Sequence, residues 1–317
     1  MILRLHRRLS LLPILLLALT GCTQRFFALS EQEGDVVNVR FFWDNAINAD
    51  PEGMTLLFYS SDKGGGIWRF DIAGRDGGQI ELPFGHYRML AVNNDIAGII
   101  LSGQDQESSV MLSTTERADH VAIMCPGMSY GCRMKDVTVS PCGVGYTGED
   151  NDVKECGASV IKCYPDTLST IYHLIINDVE GMEYLRSAKA YVEGPAKGMN
   201  LSSLTPVAPS LSMPCTMTTD LIGGTLDGTT CGFPLPDDTT EYGVTLNVTS
   251  KSGKSYSKKF TASDLTVNTF SIHCVYITIS GLSIPSEPGP TPPDKDDDVG
   301  IDVDVDGWNV IEIDLST

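Results

Sequence analysis

The sequence predicts an all-β fold of two tandem β-sandwiches, and three observations carry the prediction. Short segments alternate apolar and polar residues with a period of two, the pattern of a half-buried strand. Clusters of Gly, Asn, Asp and Pro cut the chain at short intervals, as strand connections require. The first half has no segment with the apolar stripe of an amphipathic helix.

The strands follow in order. Val37, Val39, Phe41 and Trp43 share one face of a first strand. Pro51-Glu52-Gly53 turns the chain into a second, Met54 to Tyr59. The loop Asp62-Lys63-Gly64-Gly65-Gly66 leads into Ile67 to Ile72, which pairs back as a hairpin. Gln79 to Leu82 and His86 to Val92 come next, with weaker segments at Val110 to Ser113 and His120 to Met124. A second set begins near Ala158. It contains Val160 to Tyr164, Thr170 to Ile176, a possible helical turn within Val179 to Lys189, and the strand Ala190 to Glu193. Tyr242 to Ser250 places Val244, Leu246 and Val248 inward. Ser252-Gly253-Lys254 turns it into Ser255 to Phe260, and Phe270 to Ile279 forms a long strand.

The expected organisation is a leader over residues 1–21, a tether over 22–35, an N-terminal sandwich over 36–157 and a C-terminal sandwich over 158–283. A Pro- and Asp-rich extended linker follows over 284–298, then strands within 299–317, with Trp308 between them.

The leader has a recognisable build. Arg4, Arg7 and Arg8 precede an apolar run from Leu9 to Leu19, too short for a bilayer span of about 20 residues. Leu19-Thr20-Gly21-Cys22 has the layout of a bacterial lipobox. It predicts cleavage between Gly21 and Cys22 and acylation of the Cys22 thiol, with the protein held at the outer membrane. Two or more acyl chains make such an attachment stable, at ~0.8 kcal/mol per buried methylene.

Composition narrows the partners. A formal charge of −19 over 317 residues argues against nucleic acid and against anionic membrane surfaces. Eight Cys remain beside Cys22, an even count in a chain destined for export. None has CxxC spacing, so disulfides are favoured over metal, but eight Cys allow 105 pairings and spacing chooses none.

Candidate sites are few. Gly127-Met128-Ser129-Tyr130-Gly131 matches G-x-S-x-G, a nucleophile turn that needs a strand before it and a helix after it. Cys132 to Ser140 has no helical period, so a glycine-rich loop is expected. Asp302-Val303-Asp304-Val305-Asp306-Gly307 resembles the start of a calcium loop, but position 12 is Ile313 where a bidentate Glu belongs; strand alternation explains the same residues. His86, His120, His173 and His273 have no short-range partner. Trp43 and Trp68 run in phase with apolar neighbours, which favours core over a sugar-stacking platform with Trp308. Asp166-Thr167-Leu168 and Asp238-Thr239-Thr240 fit a short O-glycosylation pattern. No catalytic, cofactor or metal residue is expected.

Several motifs together carry a resemblance: Val39 to Trp43, Pro51 to Met54, Phe70 to Gly78, Leu82 to Arg88 and Asn93-Asn94-Asp95, with Val192-Glu193-Gly194 and Val303 to Trp308 later in the chain. They resemble a Bacteroidales surface-lipoprotein domain of unknown function, related to the fimbrillin-like proteins and most closely to their lipoprotein anchor subunits. The resemblance implies transthyretin-like, Greek-key sandwiches, pilin-like fimbrial subunits as partners, and assembly by β-strand complementation, with a role in adhesion. Shaft subunits of that kind lose an N-terminal strand to a protease; Arg25 and Arg40 are the nearest candidate cleavage points. Arg40 lies inside a core strand and Arg25 lies close to the lipid, which favours an anchor or accessory role. A surface glycan-binding lipoprotein without catalytic activity is the alternative.

Overall fold

The computed structural model describes residues 33–147, 153–158, 160–236, 241–286 and 307–311. The strands of the first part are β1 (Gly34–Phe41), β2 (Gly53–Ser60), β3 (Ile67–Ala73), β4 (Gly77–Pro83), β5 (Gly85–Asn93), β6 (Ile99–Ser102) and β7 (Met111–Thr114). They continue with β8 (Tyr130–Ser140), β9 (Gly143–Thr147), β10 (Val153–Ala158), β11 (Val160–Cys163) and β12 (Asp166–Thr167). The second part holds β13 (Thr170–Glu180), β14 (Leu185–Asn200), β15 (Thr205–Asp220), β16 (Thr225–Gly232), β17 (Gly243–Ser250), β18 (Ser255–Phe260), β19 (Thr266–Ser271), β20 (Cys274–Ser283) and β21 (Asn309–Ile311). Three single 3-10 turns are the helical elements among the described residues, and the protein is all-β.

The first sandwich sets a three-stranded sheet, in the order β11-β1-β4, against a seven-stranded one, in the order β10-β9-β8-β5-β2-β3, with β12 beside β8. Its core follows the alternation of the sequence. Val37, Val39 and Phe41 from β1, Ile80 and Leu82 from β4, and Ile161 and Cys163 from β11 face Met54, Leu56 and Phe58 from β2 and Tyr87 and Met89 from β5. Fully burying one such side chain contributes about 1.5–3 kcal/mol. β1 ends at Phe41, two residues before Trp43, yet the indole is buried in the same core.

The second sandwich is a single eleven-stranded path folded over on itself: β19-β20-β13-β16-β15-β14-β17-β18-β21, with β7 added to β14 and β6 to β7. β15 makes the fold possible. Its first part pairs with β14 as far as Thr216, and its last residues, Met217 to Asp220, pair with β16. The enclosed core joins Tyr172, Leu174 and Ile176 of β13 and Val275, Ile277 and Ile279 of β20 to Val244, Leu246 and Val248 of β17.

A third apolar cluster joins the two sandwiches. Leu57, Tyr59, Leu90 and Val92, on the outer face of β2 and β5, pack with Val110 and Leu112 around β7 and with Ala196, Met199 and Phe233. This is why β2 is buried on both faces from Gly53 to Tyr59. The chain from Val160 to Thr167 hydrogen-bonds into the first sandwich, parallel to β1 and then antiparallel to β8, while β6 and β7 join the sheet of the second.

Several elements differ from the sequence reading. Of the one or two helical turns expected within Val179 to Lys189, one 3-10 turn forms, Met182–Tyr184; apart from Gly181 the rest belongs to β13 and β14. The expected long strand Phe270 to Ile279 is a hairpin, because Ser271-Ile272-His273 turns the chain and β19 pairs back on β20. His120 to Met124 forms only isolated bridges, Glu116 with Ala122 and Val121 with Ser212. β8, β15 and β16 were not legible: their apolar residues are diluted by Gly, Ser, Thr and, in β15, by Pro206, Pro209 and Pro214.

Candidate functional site

The residues with chemical potential are scattered. Ser129 is fully buried, its hydroxyl has no hydrogen-bond partner, and its backbone N–H donates to Ser169 Oγ at 2.9 Å. The strand β8 follows it where a nucleophile turn needs a helix. His86, His120, His173 and His273 lie apart. His86 Nδ1 is 3.0 Å from Thr138 Oγ1, His120 pairs with Glu116, His173 stacks on Tyr276, and His273 Nδ1 is 3.0 Å from the Ser169 carbonyl. Among the described residues no three His, Cys, Asp or Glu side chains group to hold a metal ion.

The tryptophans form no common platform. Trp43 is buried, donates its indole N–H to the Arg75 carbonyl at 2.9 Å, and meets Tyr130 edge-on. Trp308 is buried as well, and Trp68 is half-buried edge-on against Tyr87. Thr167 sits half-buried in β12, paired with Tyr130. Gly21, Cys22, Arg25, residues 237–240 and the acidic stretch from Asp302 to Asp306 lie outside the described residues.

What the fold exposes is sheet edge. β19 ends the eleven-stranded path, and all six of its residues are exposed. Phe270, 77 % exposed, meets Tyr276 edge-on at 5.3 Å, and Ile272 beside it is 66 % exposed. An edge strand carries a row of unpaired N–H and C=O groups on its outer side, a template for another strand. At the opposite end β21 pairs with β18 in the same chain, Ser255 facing Ile311 and Ser257 facing Asn309. Arg40, a candidate cleavage point, lies in the middle strand of its sheet, opposite Lys162 on one side and Gly77 on the other.

The sequence matches a family described as a domain of unknown function, DUF5119, over residues 21–214, more than half of the chain. The chain belongs to this family. No curated protein matches it. Solved structures do. A candidate adhesin of Bacteroides ovatus is similar with a TM-score of 0.64 and 14 % identity, over 86 % of this chain and 99 % of that one. The fimbrial anchor protein Mfa2 of Porphyromonas gingivalis is similar with a TM-score of 0.50 and 12 % identity, over 78 % of this chain and 91 % of that one. At these identities the likeness is one of fold.

Proposed function

We propose that this DUF5119 protein is a non-catalytic, cell-surface lipoprotein of fimbrial type, held at the outer membrane through Cys22 and serving as an anchoring or accessory subunit in adhesion. One observation carries the reading: the second sandwich ends on an edge strand, β19, all of whose residues are exposed, with Phe270 on it and Ile272 just after it. The shared fold with a fimbrial anchor protein supports it. The binding step is strand addition, in which main-chain hydrogen bonds across an open edge hold a pilin-like subunit and side-chain contacts set the register. The tether, the linker and the strands near the C-terminus belong to the same proposal, as does the two-domain division. Residues 309–311 are seated on β18 within the chain.

The test is a pull-down of the membrane-extracted protein from its own cells, read by mass spectrometry. Recovery of a fimbrillin-like subunit, lost in a folded Phe270→Asp/Ile272→Asp variant, supports the reading. Recovery of glycan-uptake components with no pilin replaces it with a glycan-binding role. A Cys22→Ala form released from the membrane fraction tests the anchor separately.

A further inference from the structure

The first sandwich brings two cysteines from opposite sheets together. Cys132 lies on β8, opposite Ala91 of β5, in the seven-stranded sheet. Cys163 ends β11, opposite Phe41 of β1, in the three-stranded sheet. Both are buried in one core, both are free thiols, and the Cys132 side chain is close enough to act on the Cys163 thiol. The path of the chain enforces the meeting. Directly after Cys163 it crosses between layers, and β12 pairs Asp166 with Gly131, next to Cys132.

We infer that Cys132 and Cys163 form an inter-sheet disulfide in the mature protein, a covalent staple across the first sandwich. The inference rests on the export proposed above, because structural disulfides persist in oxidising compartments. The chemistry is thiol–disulfide exchange with a disulfide-bearing oxidoreductase. The Cys132 thiolate attacks the oxidant's disulfide and one oxidant sulfur leaves as thiolate. The Cys163 thiolate then displaces the second sulfur. One S–S bond forms in the protein, one breaks in the oxidant, and the two protons of the protein thiols, passed through solvent, end on the oxidant's sulfurs, which become a dithiol. Once the core has closed, the neighbouring Cys132 thiol, together with burial, holds the Cys163 thiol far above its ordinary pKa. The thiolate is the attacking species, so the exchange belongs to folding, before the two sheets seal.

The loop closed by the bond spans 31 positions. A staple of that length is expected to raise the melting temperature by roughly 6–15 °C. The first measurement uses protein from the envelope of its native cells, alkylated at lysis and digested without reduction. A Cys132–Cys163 linked peptide is the expected result. Alkylation of both cysteines, or linkage of either to another cysteine, overturns the proposal. Protease shaving of the same intact cells separates the two readings. Free thiols in a surface-displayed protein sink the disulfide alone, whereas a protein that is not displayed sinks the surface reading. The second measurement compares melting after refolding in oxidised and in reduced glutathione. The gap between the two is expected to shrink by those degrees in a Cys132→Ala/Cys163→Ala variant; an unchanged gap overturns the staple.

Discussion

The indole N–H of Trp308 donates to the carbonyl of Ser283 at 2.9 Å, joining points 25 positions apart. The ring is buried in the core of the second sandwich, with the Lys258 ammonium 5.8 Å from its centroid. Beyond it, β21 pairs with β18. Trp308 is thus the peg that seats the last described strand.

Trp308→Ala is expected to cost roughly 3–5 kcal/mol, the range for emptying a large aromatic site. It should also raise the hydrogen-exchange rates of Asn309 to Ile311 toward those of a free chain. Trp308→Phe, which keeps an aromatic ring of smaller volume and loses the donor, should cost less than the alanine form. Unchanged exchange in the alanine form would show that the strand seats without its peg.

The junction cluster predicts coupled unfolding. Leu90, 1 % exposed, packs toward Leu112, Met199 and Phe233 rather than into the first core. Leu90→Ala should destabilise by about 2–5 kcal/mol and keep a single calorimetric transition. Two separated transitions in the wild-type protein would show that the sandwiches unfold independently.

Gly77 begins β4 at φ +110°, and a Cβ there would stand 2.0 Å from the Val39 carbonyl oxygen. Gly77→Ala therefore strains the backbone and pushes β4 away from β1. A loss of roughly 2–4 kcal/mol is expected in denaturant unfolding. Gly74→Ala, at φ +79° in open space, carries the backbone strain without the clash and should cost less.

Ser129→Ala removes a hydroxyl that is buried without a partner. Stability should stay within about 1 kcal/mol of wild type or rise, since an unsatisfied buried polar group is costly. Any hydrolysis found in a preparation should survive the substitution, and its loss would reopen the serine reading.

Alkaline pH should unfold the protein over a defined window. Burial, with Glu107 and Asp105 nearby, pushes Tyr59 up to about 12, and burial with Asp62 pushes Tyr87 up to about 12, from an ordinary value of 10.0. Between those values the folded chain holds protons that the unfolded chain has released, so stability is kept below pH 10 and falls as pH rises toward 12. The thermal midpoint should drop through that window, and Tyr59→Phe should make the drop shallower. A tyrosinate absorbance titration that begins at pH 10 for every tyrosine would contradict this.

Much of the fold was legible because alternation survives wherever a strand has one wet face. The buried phase of β1 is Val37, Val39 and Phe41, and that of β17 is Val244, Leu246 and Val248, as the letters indicate. β15 was not legible because three prolines and a run of hydroxyl residues hide its period. Its pairing with β14 along one part and with β16 along another is decided by the partners it finds. Phe270 sat in an apolar run that reads as core, yet the turn at Ile272 carries it to the outside of an edge strand. Local periodicity says which residues face together, not whether anything covers that face.

By itself the sequence determined the all-β class, the inward residues of strands such as β1 and β17, the acidic composition and the family resemblance. Each of these follows from composition or from neighbours within a few positions. Only the tertiary structure decided which edges stay open, which residues join the two sandwiches, and which cysteines meet. Spacing alone leaves 105 complete pairings of the eight Cys open and does not single out Cys132 with Cys163. The crossing from β11 to β12 makes them neighbours, because contact across two sheets depends on where the chain turns, and no local pattern in the letters records it.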